Sequence, residues 1–106
     1  MVKKTIMLVC AAGMSTSLLV TKIQQAATAS ALEREIFAVS AMEAEEILAD
    51  KTVDILMLGP QVRYMLVEFK AKLAPLGIPV VAIPMTDYGM MRGDKVLETA
   101  ESLIGG

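Results

Sequence analysis

Histidine and tryptophan are absent from this chain of 106 residues, and cysteine occurs once. Without histidine there is no imidazole base, no imidazole metal ligand and no histidine to carry a phosphoryl group. One cysteine cannot close an internal disulfide, and with no CxxC or cysteine–histidine cluster no metal site is expected. Two tyrosines and two phenylalanines are thin support for stacking a flavin, and nothing in the sequence calls for a cofactor. Ten basic and twelve acidic residues leave a net charge of −2. They are mixed along the chain without the basic stripe that nucleic acid requires, so no nucleic-acid partner is expected. No apolar run approaches the ~20 residues of a membrane span, so no direct membrane insertion is expected.

What is present reads as globular: 55% apolar and 21% charged residues, enough for one core. Residues 1–106 are expected to form a single domain, without repeats, linkers or low-complexity segments. Lys3 and Lys4 before Ile6–Ala12 resemble a short signal peptide. The run is at the short end for one, and Val9 before Cys10 suits a lipoprotein cleavage site poorly. The segment is read instead as the first strand of a cytoplasmic protein.

Apolar runs and helical patterns alternate along the chain. Strands are expected at Thr5–Val9, Glu35–Val39, Val53–Leu58 and Pro79–Ile83. The first helix carries Leu19, Ile23 and Ala26 or Ala27 at helical spacing, capped by Ser15, Thr16 or Ser17. Ser40-Ala-Met-Glu43 is a capping-box pattern opening a helix with Ala44, Ile47 and Leu48 inward. Pro60 suits the first turn of a third helix with Val62, Leu66, Phe69 and Leu73 inward. A loop from Pro84 to about Arg92 leads to a last helix with Leu97, Ala100 and Ile104 inward. This alternation predicts an α/β fold, a single open four-stranded parallel sheet with helices on both faces. Such sheets bind ligands beyond the carboxyl ends of their strands. The loops at that edge are Cys10–Ser17, Gly59–Gln61 and Pro84–Tyr88.

Cys10 ends the first strand, and the segment after it reads Ala11-Ala-Gly-Met-Ser-Thr-Ser17 before the helical pattern starts. A thiol there faces a helix N-terminus, where backbone N–H groups and the helix dipole attract anions. The same field favours thiolate, the nucleophilic form. Gly13 lets the backbone approach a phosphate closely. The amides of Ala11, Ala12, Gly13, Met14, Ser15, Thr16 and Ser17 are candidate phosphate ligands, as are the three hydroxyls. The competing readings are a buried cysteine acting as a small hydrophobe and hydroxyls that only cap a helix. Three hydroxyls in succession exceed what a cap requires. Cysteine phosphatases place an arginine six residues after the nucleophile, where this chain has Thr16. Without that bidentate clamp the loop can hold a phosphoryl group on sulfur but lacks the strongest aid to its hydrolysis. The single cysteine also argues against an arsenate reductase. A receiver domain needs acidic residues at this edge, and the first strand ends without any.

Cys10-Ala-Ala-Gly-Met-Ser-Thr-Ser17 resembles the active-site segment of the enzyme IIB component of the bacterial phosphoenolpyruvate-dependent sugar phosphotransferase system, in its lactose/cellobiose (N,N′-diacetylchitobiose) family. Leu58-Gly-Pro-Gln61 with Tyr64-Met65, and Tyr88-Gly89, extend the resemblance in order over nearly the whole chain. The resemblance implies strand order 2-1-3-4. It implies that Cys10 accepts a phosphoryl group from a histidine of a IIA phosphodonor protein. It also implies that Cys10 passes the group to a β-linked disaccharide bound by the membrane IIC transporter.

At the other edge loops, Gln61 is a candidate for holding phosphate or a partner, against a first-turn residue facing water. Tyr88 is a candidate partner contact, against a half-buried loop aromatic. Met14, Met85, Met90 and Met91 are candidates for an adaptable apolar docking surface, with core filling the alternative. Arg63 and Arg92 read as solvated. Asp54 starts its strand, on the wrong edge for phosphate, and Asp87 without an arginine partner is assigned no acid role.

Overall fold

The computed structural model describes residues 4–10 and 14–104, the side chains of residues 14–16 excepted. Four parallel strands, β1 (Lys4–Cys10), β2 (Arg34–Ser40), β3 (Ile55–Leu58) and β4 (Val80–Ala82), lie in the order β2-β1-β3-β4. Between and after them run α1 (Met14–Ala29), α2 (Ala41–Asp50), α3 (Leu66–Leu73), α4 (Met85–Gly89) and α5 (Gly93–Ile104). The chain steps outward from β1 to β2, then returns past β1 to β3. The point where the strand order reverses lies between the carboxyl ends of β1 and β3, the ligand-binding position of such sheets.

The strands divide the core into two layers. Ile6, Leu8, Ile55 and Met57 pack with Leu19, Ile23 and Ala27 of α1 and Val96, Leu97 and Ala100 of α5. Met7, Val9, Leu56 and Leu58 point the other way, onto Ala44 of α2 and Phe69 and Leu73 of α3. This is the two-residue alternation of a strand. The side chains from Ile6 to Val9 and from Ile55 to Leu58 are completely buried, so a one-residue register slip would exchange the two layers. Central strands covered on both faces read as continuous apolar runs, as these do. β4 is an edge strand, and only Val80 of its three residues is buried.

The expected helix faces, capping box and strand order are all present: Ser40 caps α2, its hydroxyl accepting from the Glu43 N–H. Four details differ. The strand ends shift by one or two residues, and Cys10 is the last residue of β1. α1 begins at Met14 rather than after the hydroxyl run; Ser15, Thr16 and Ser17 therefore form its first turn instead of capping it. The third helix opens as a 3₁₀ segment, Pro60–Met65, broken at Val62 (φ −120°, ψ 18°), before α3. The last loop contains the one-turn helix α4, too short to show a period, whose Tyr88 N–H bonds to the Pro84 carbonyl at 3.0 Å.

The amino edge of the sheet is closed by polar pairs. Asp54 Oδ2 accepts from the Thr5 N–H at 2.7 Å, and the Asp54 N–H donates to the Thr5 carbonyl at 3.0 Å. Arg34 grips Glu101 through two parallel bonds of 2.6 and 2.7 Å, tying β2 to α5. Lys51 pairs with Glu35 and lies over the Phe37 ring, 5.5 Å from its centre. Among the described residues no helix is long and apolar enough to cross a membrane.

Candidate functional site

Cys10 stands at the carboxyl rim of the sheet, at the end of a strand whose preceding four side chains are immobilised in the core. Alternation carries its side chain to the side of Ile6 and Leu8, the α1 layer. The residue is 2% exposed, and Sγ donates to the Val39 carbonyl of β2 at 3.5 Å. Ser40 is its register partner on that strand.

Three residues beyond Cys10, outside the described ones, are Ala11, Ala12 and Gly13 of the expected phosphate loop. Met14 then opens α1, a helix of 16 residues with no acidic side chain in its first turn. Its terminal N–H groups and positive dipole end are thus not neutralised by a carboxylate of their own turn. Of the expected hydroxyl ligands, Ser15 and Thr16 have side chains outside the described set, as does Met14. Ser17 is exposed in the first turn.

On the other flank, the Gly59 N–H donates to the Val9 carbonyl at 2.9 Å, extending the β1–β3 pairing to the level of Cys10. Gly59 is buried, and the position of its missing Cβ faces Gln61 Oε1 at 3.4 Å and Tyr88 Cε2 at 3.6 Å. Gln61 is exposed but folds its amide back over the rim. Tyr88 is 8% exposed and belongs to the α1-side core.

Asp54 lies at the opposite edge, as expected. Arg63 is exposed, and Arg92 pairs with Asp94 at 3.2 Å. That hydrogen bond raises the Arg92 guanidinium above its ordinary value and lowers the Asp94 carboxyl below its own. Met91, at φ 53°, packs against the core, whereas Met85 and Met90 are largely exposed. Leu18, Met42, Tyr64 and Val67 are exposed as well, each following the carboxyl end of a strand in sequence, and Tyr64 and Val67 lie near Met85. A groove of about 400 Å³ runs there, between Pro60, Arg63 and Tyr64 on one wall and Pro84 and Met85 on the other. Ser40 and Gly59 are the neighbours of Cys10 in the sheet, whereas the sequence marked Ser40 only as a helix cap and Gly59 only as the start of an edge loop. Only the long-range register places them there.

The profile of the family described as "PTS system, Lactose/Cellobiose specific IIB subunit" matches residues 5–99. The chain is 50% identical over 107 residues to a protein of Lactococcus lactis subsp. cremoris named "PTS system galactose-specific EIIB component", covering 98% of this chain and 99% of that one. It is equally similar, with the same coverage, to a "PTS system cellobiose-specific EIIB component" of Lactococcus lactis subsp. lactis. A Bacillus subtilis "PTS system oligo-beta-mannoside-specific EIIB component" is 40% identical over 101 residues, 95% of this chain and 96% of that one. Among solved structures, a cellobiose-specific IIB component from Borrelia burgdorferi superposes with a TM-score of 0.78 at 35% identity, covering 98% and 94% of the two chains. A lactose-specific IIB domain from Streptococcus pneumoniae gives 0.84 at 21% identity, covering 96% and 98%, a likeness of fold.

Proposed function

The chain belongs to the lactose/cellobiose-specific IIB family of the phosphotransferase system, and on that footing we propose that Cys10 is its phosphoryl carrier. IIB components are phosphotransferases, and the chemistry is assigned to the single cysteine at the ligand edge, the strongest nucleophile there. In the first step the P–N bond of a phosphohistidine on the IIA protein breaks as an S–P bond forms on Cys10. The thiol proton ends on the departing imidazole. In the second step a hydroxyl of a β-linked disaccharide, held by the membrane IIC transporter, displaces sulfur from phosphorus, and its proton returns to the thiolate. Two of the three relatives above carry the names of β-linked sugars, cellobiose and an oligo-β-mannoside.

The observation that carries this reading is the position of Cys10: last residue of a central strand, at the strand-order reversal, four residues ahead of a helix with no carboxylate in its first turn. Amides of residues 11–17 would hold the three phosphoryl oxygens, with the hydroxyls of Ser15, Thr16 and Ser17 in support. The loop lacks a guanidinium. It therefore binds the phosphoryl group without the transition-state clamp that would speed its loss to water. The apolar residues around the rim form a surface that two partners meet in turn, with residues 1–106 acting as one cytoplasmic domain.

The test is transfer of labelled phosphate from phosphorylated IIA, followed by mapping of the label. Cys10 should carry it, and Cys10→Ser should fold and take up none, because no histidine or second cysteine can substitute. Label on another residue of the Ser variant would overturn the assignment.

A further inference from the structure

Gly59 stands beside Cys10 for a reason that the fold does not supply. Its backbone, φ −66° and ψ 157°, is one that any residue adopts. A Cβ there would meet Gln61 Oε1 at 3.4 Å, the Val9 carbonyl oxygen at 3.5 Å and Tyr88 Cε2 at 3.6 Å, ordinary van der Waals contacts. Neither strain nor a clash therefore requires glycine. What its absent side chain leaves is a buried space the size of a methyl group, bordered by those three atoms. β3 places Ile55 and Met57 in the α1-side layer, and alternation continues that side to Gly59. β1 does the same from Ile6 and Leu8 to Cys10. That space and the thiol side chain thus share one face of adjacent strands.

The wall of this space is Tyr88 on one side and the Gln61 amide on the other. Gln61 belongs to an exposed position in the first turn after Pro60, where a long polar side chain ordinarily extends into water. Here it turns back over the sheet. Among the described residues its amide is committed to no hydrogen bond.

We propose that the Gln61 side-chain amide is a ligand of the phosphoryl group on Cys10, reaching it past Gly59, where no side chain intervenes. The proposal rests on Cys10 being the phosphoryl carrier. Amides from the α1 side can meet the oxygens turned toward the helix; Gln61 supplies an N–H donor from the β3 side. Terminal amide nitrogen and oxygen exchange places by a half-turn about one bond. A neutral donor suits a group that must be held and then released, since it adds no charge to grip the dianion as a guanidinium does.

The experiment uses the whole chain with its phosphorylated IIA donor, and reads three variants beside the wild type. Gln61→Leu should lower the saturating rate of phosphoryl uptake about five- to tenfold, one hydrogen bond's worth, with little change in the donor concentration at half-saturation. Gln61→Glu keeps the shape and adds a carboxylate facing the dianion. It should lower the rate further while leaving thermal stability unchanged, since an acidic side chain is tolerated at a helix start. Gly59→Ala should fold and slow uptake by filling that space. In wild type, the Gln61 side-chain NH₂ resonances should move on phosphorylation. Unmoved resonances, with Leu and Glu variants within twofold of wild type on a Cys10 that is demonstrably phosphorylated, overturn this inference alone. A rise in half-saturation with an unchanged saturating rate also overturns it, in favour of a donor-docking role. A wild-type Cys10 that takes no label overturns this inference together with the carrier assignment beneath it.

Discussion

Replacing Gly93 with alanine should unfold the protein more readily than any change at its surface. Gly93 opens α5, is buried, and lies against the middle of α1. A Cβ built there would stand 2.4 Å from the Lys22 carbonyl carbon, 2.6 Å from its oxygen and 2.6 Å from the Ile23 nitrogen. All three are backbone atoms of a helix, so no side chain can swing aside. Real contacts of this kind need more than 3 Å, and the two helices must part by roughly 1 Å. Their separation would loosen Leu19, Ile23, Val96, Leu97 and Ala100, which fill the layer between them. Overpacking a core costs typically ~1–3 kcal/mol, and rigid backbone on both sides puts this case near ~3. At ~4–8 °C per kcal/mol for a domain of about this size, the midpoint of thermal unfolding should fall by roughly 12–24 °C. Urea titration of wild type and variant, compared at equal slope, gives the free-energy difference. Gly77→Ala is the control. Its φ of 71° disfavours a side chain, but nothing stands within 4 Å, so its cost should be about 1 kcal/mol. A Gly93 variant no more destabilised than the Gly77 variant would refute the close approach of α1 and α5.

Three further outcomes are expected. Met14→Pro alters the first helical turn and deletes an amide from the proposed phosphate loop. It should slow phosphoryl uptake far more than Ser17→Ala, which removes about one hydrogen bond worth ~1 kcal/mol; equal effects would mean that hydroxyls, not amides, hold the group. Thr16→Arg installs a guanidinium where cysteine phosphatases have theirs and should shorten the lifetime of isolated phosphorylated protein in water. An unchanged or longer lifetime, in a variant that folds and accepts phosphate, would sink the idea that the missing arginine protects the carrier. Arg34→Met keeps the stem of the side chain but breaks the bidentate pair with Glu101, whose partners are 17% and 25% exposed. The loss should lie between that of surface and buried pairs, about 1–2 kcal/mol by denaturant titration, with uptake by Cys10 unaffected.

Local chemistry made much of this molecule legible. Ser40 and Glu43 carry a capping box within four residues, and Leu19, Ile23 and Ala27 repeat at helical spacing; both signals depend only on neighbours in sequence. The role proposed for Cys10 could be read for the same reason, because strand end, loop and helix start follow one another within eight residues. What stayed hidden depends on register. Nothing near Gly59 says that its amide reaches Val9, and nothing near Ser40 says that it stands opposite Cys10. The start of α1 was misplaced because serine and threonine, favoured as caps, are also tolerated in a first turn whose N–H groups have no intrahelical partner. α4 escaped because five residues are too few for a period, and the sequence left Tyr88 open between a partner contact and a half-buried loop aromatic because its burial depends on residues distant in sequence.

The two ends of the sheet are built for different work. At the amino edge the exposed strand ends are closed by specific pairs, Asp54 with Thr5, Arg34 with Glu101 and Lys51 with Glu35, whose geometry fixes the scaffold. At the carboxyl edge the large apolar side chains left exposed are Leu18, Met42, Tyr64, Val67, Met85 and Met90, half of them methionines. In the proposed relay one sulfur must be approached first by a donor protein and then by a transporter, so both partners have to cover the same rim. Contacts of fixed polar geometry would favour one of them. Methionine has three rotatable bonds and a polarizable sulfur, and it fits irregular surfaces with little directional demand. A rim rich in such residues can bind two differently shaped faces, neither so tightly that the carrier fails to leave. A rigid strand ending in Cys10 keeps the sulfur in one place while the partners exchange. On this argument, replacing Met85 and Met90 together by serine should weaken both encounters, and replacing them by isoleucine, stiff at χ1, should weaken the two unequally.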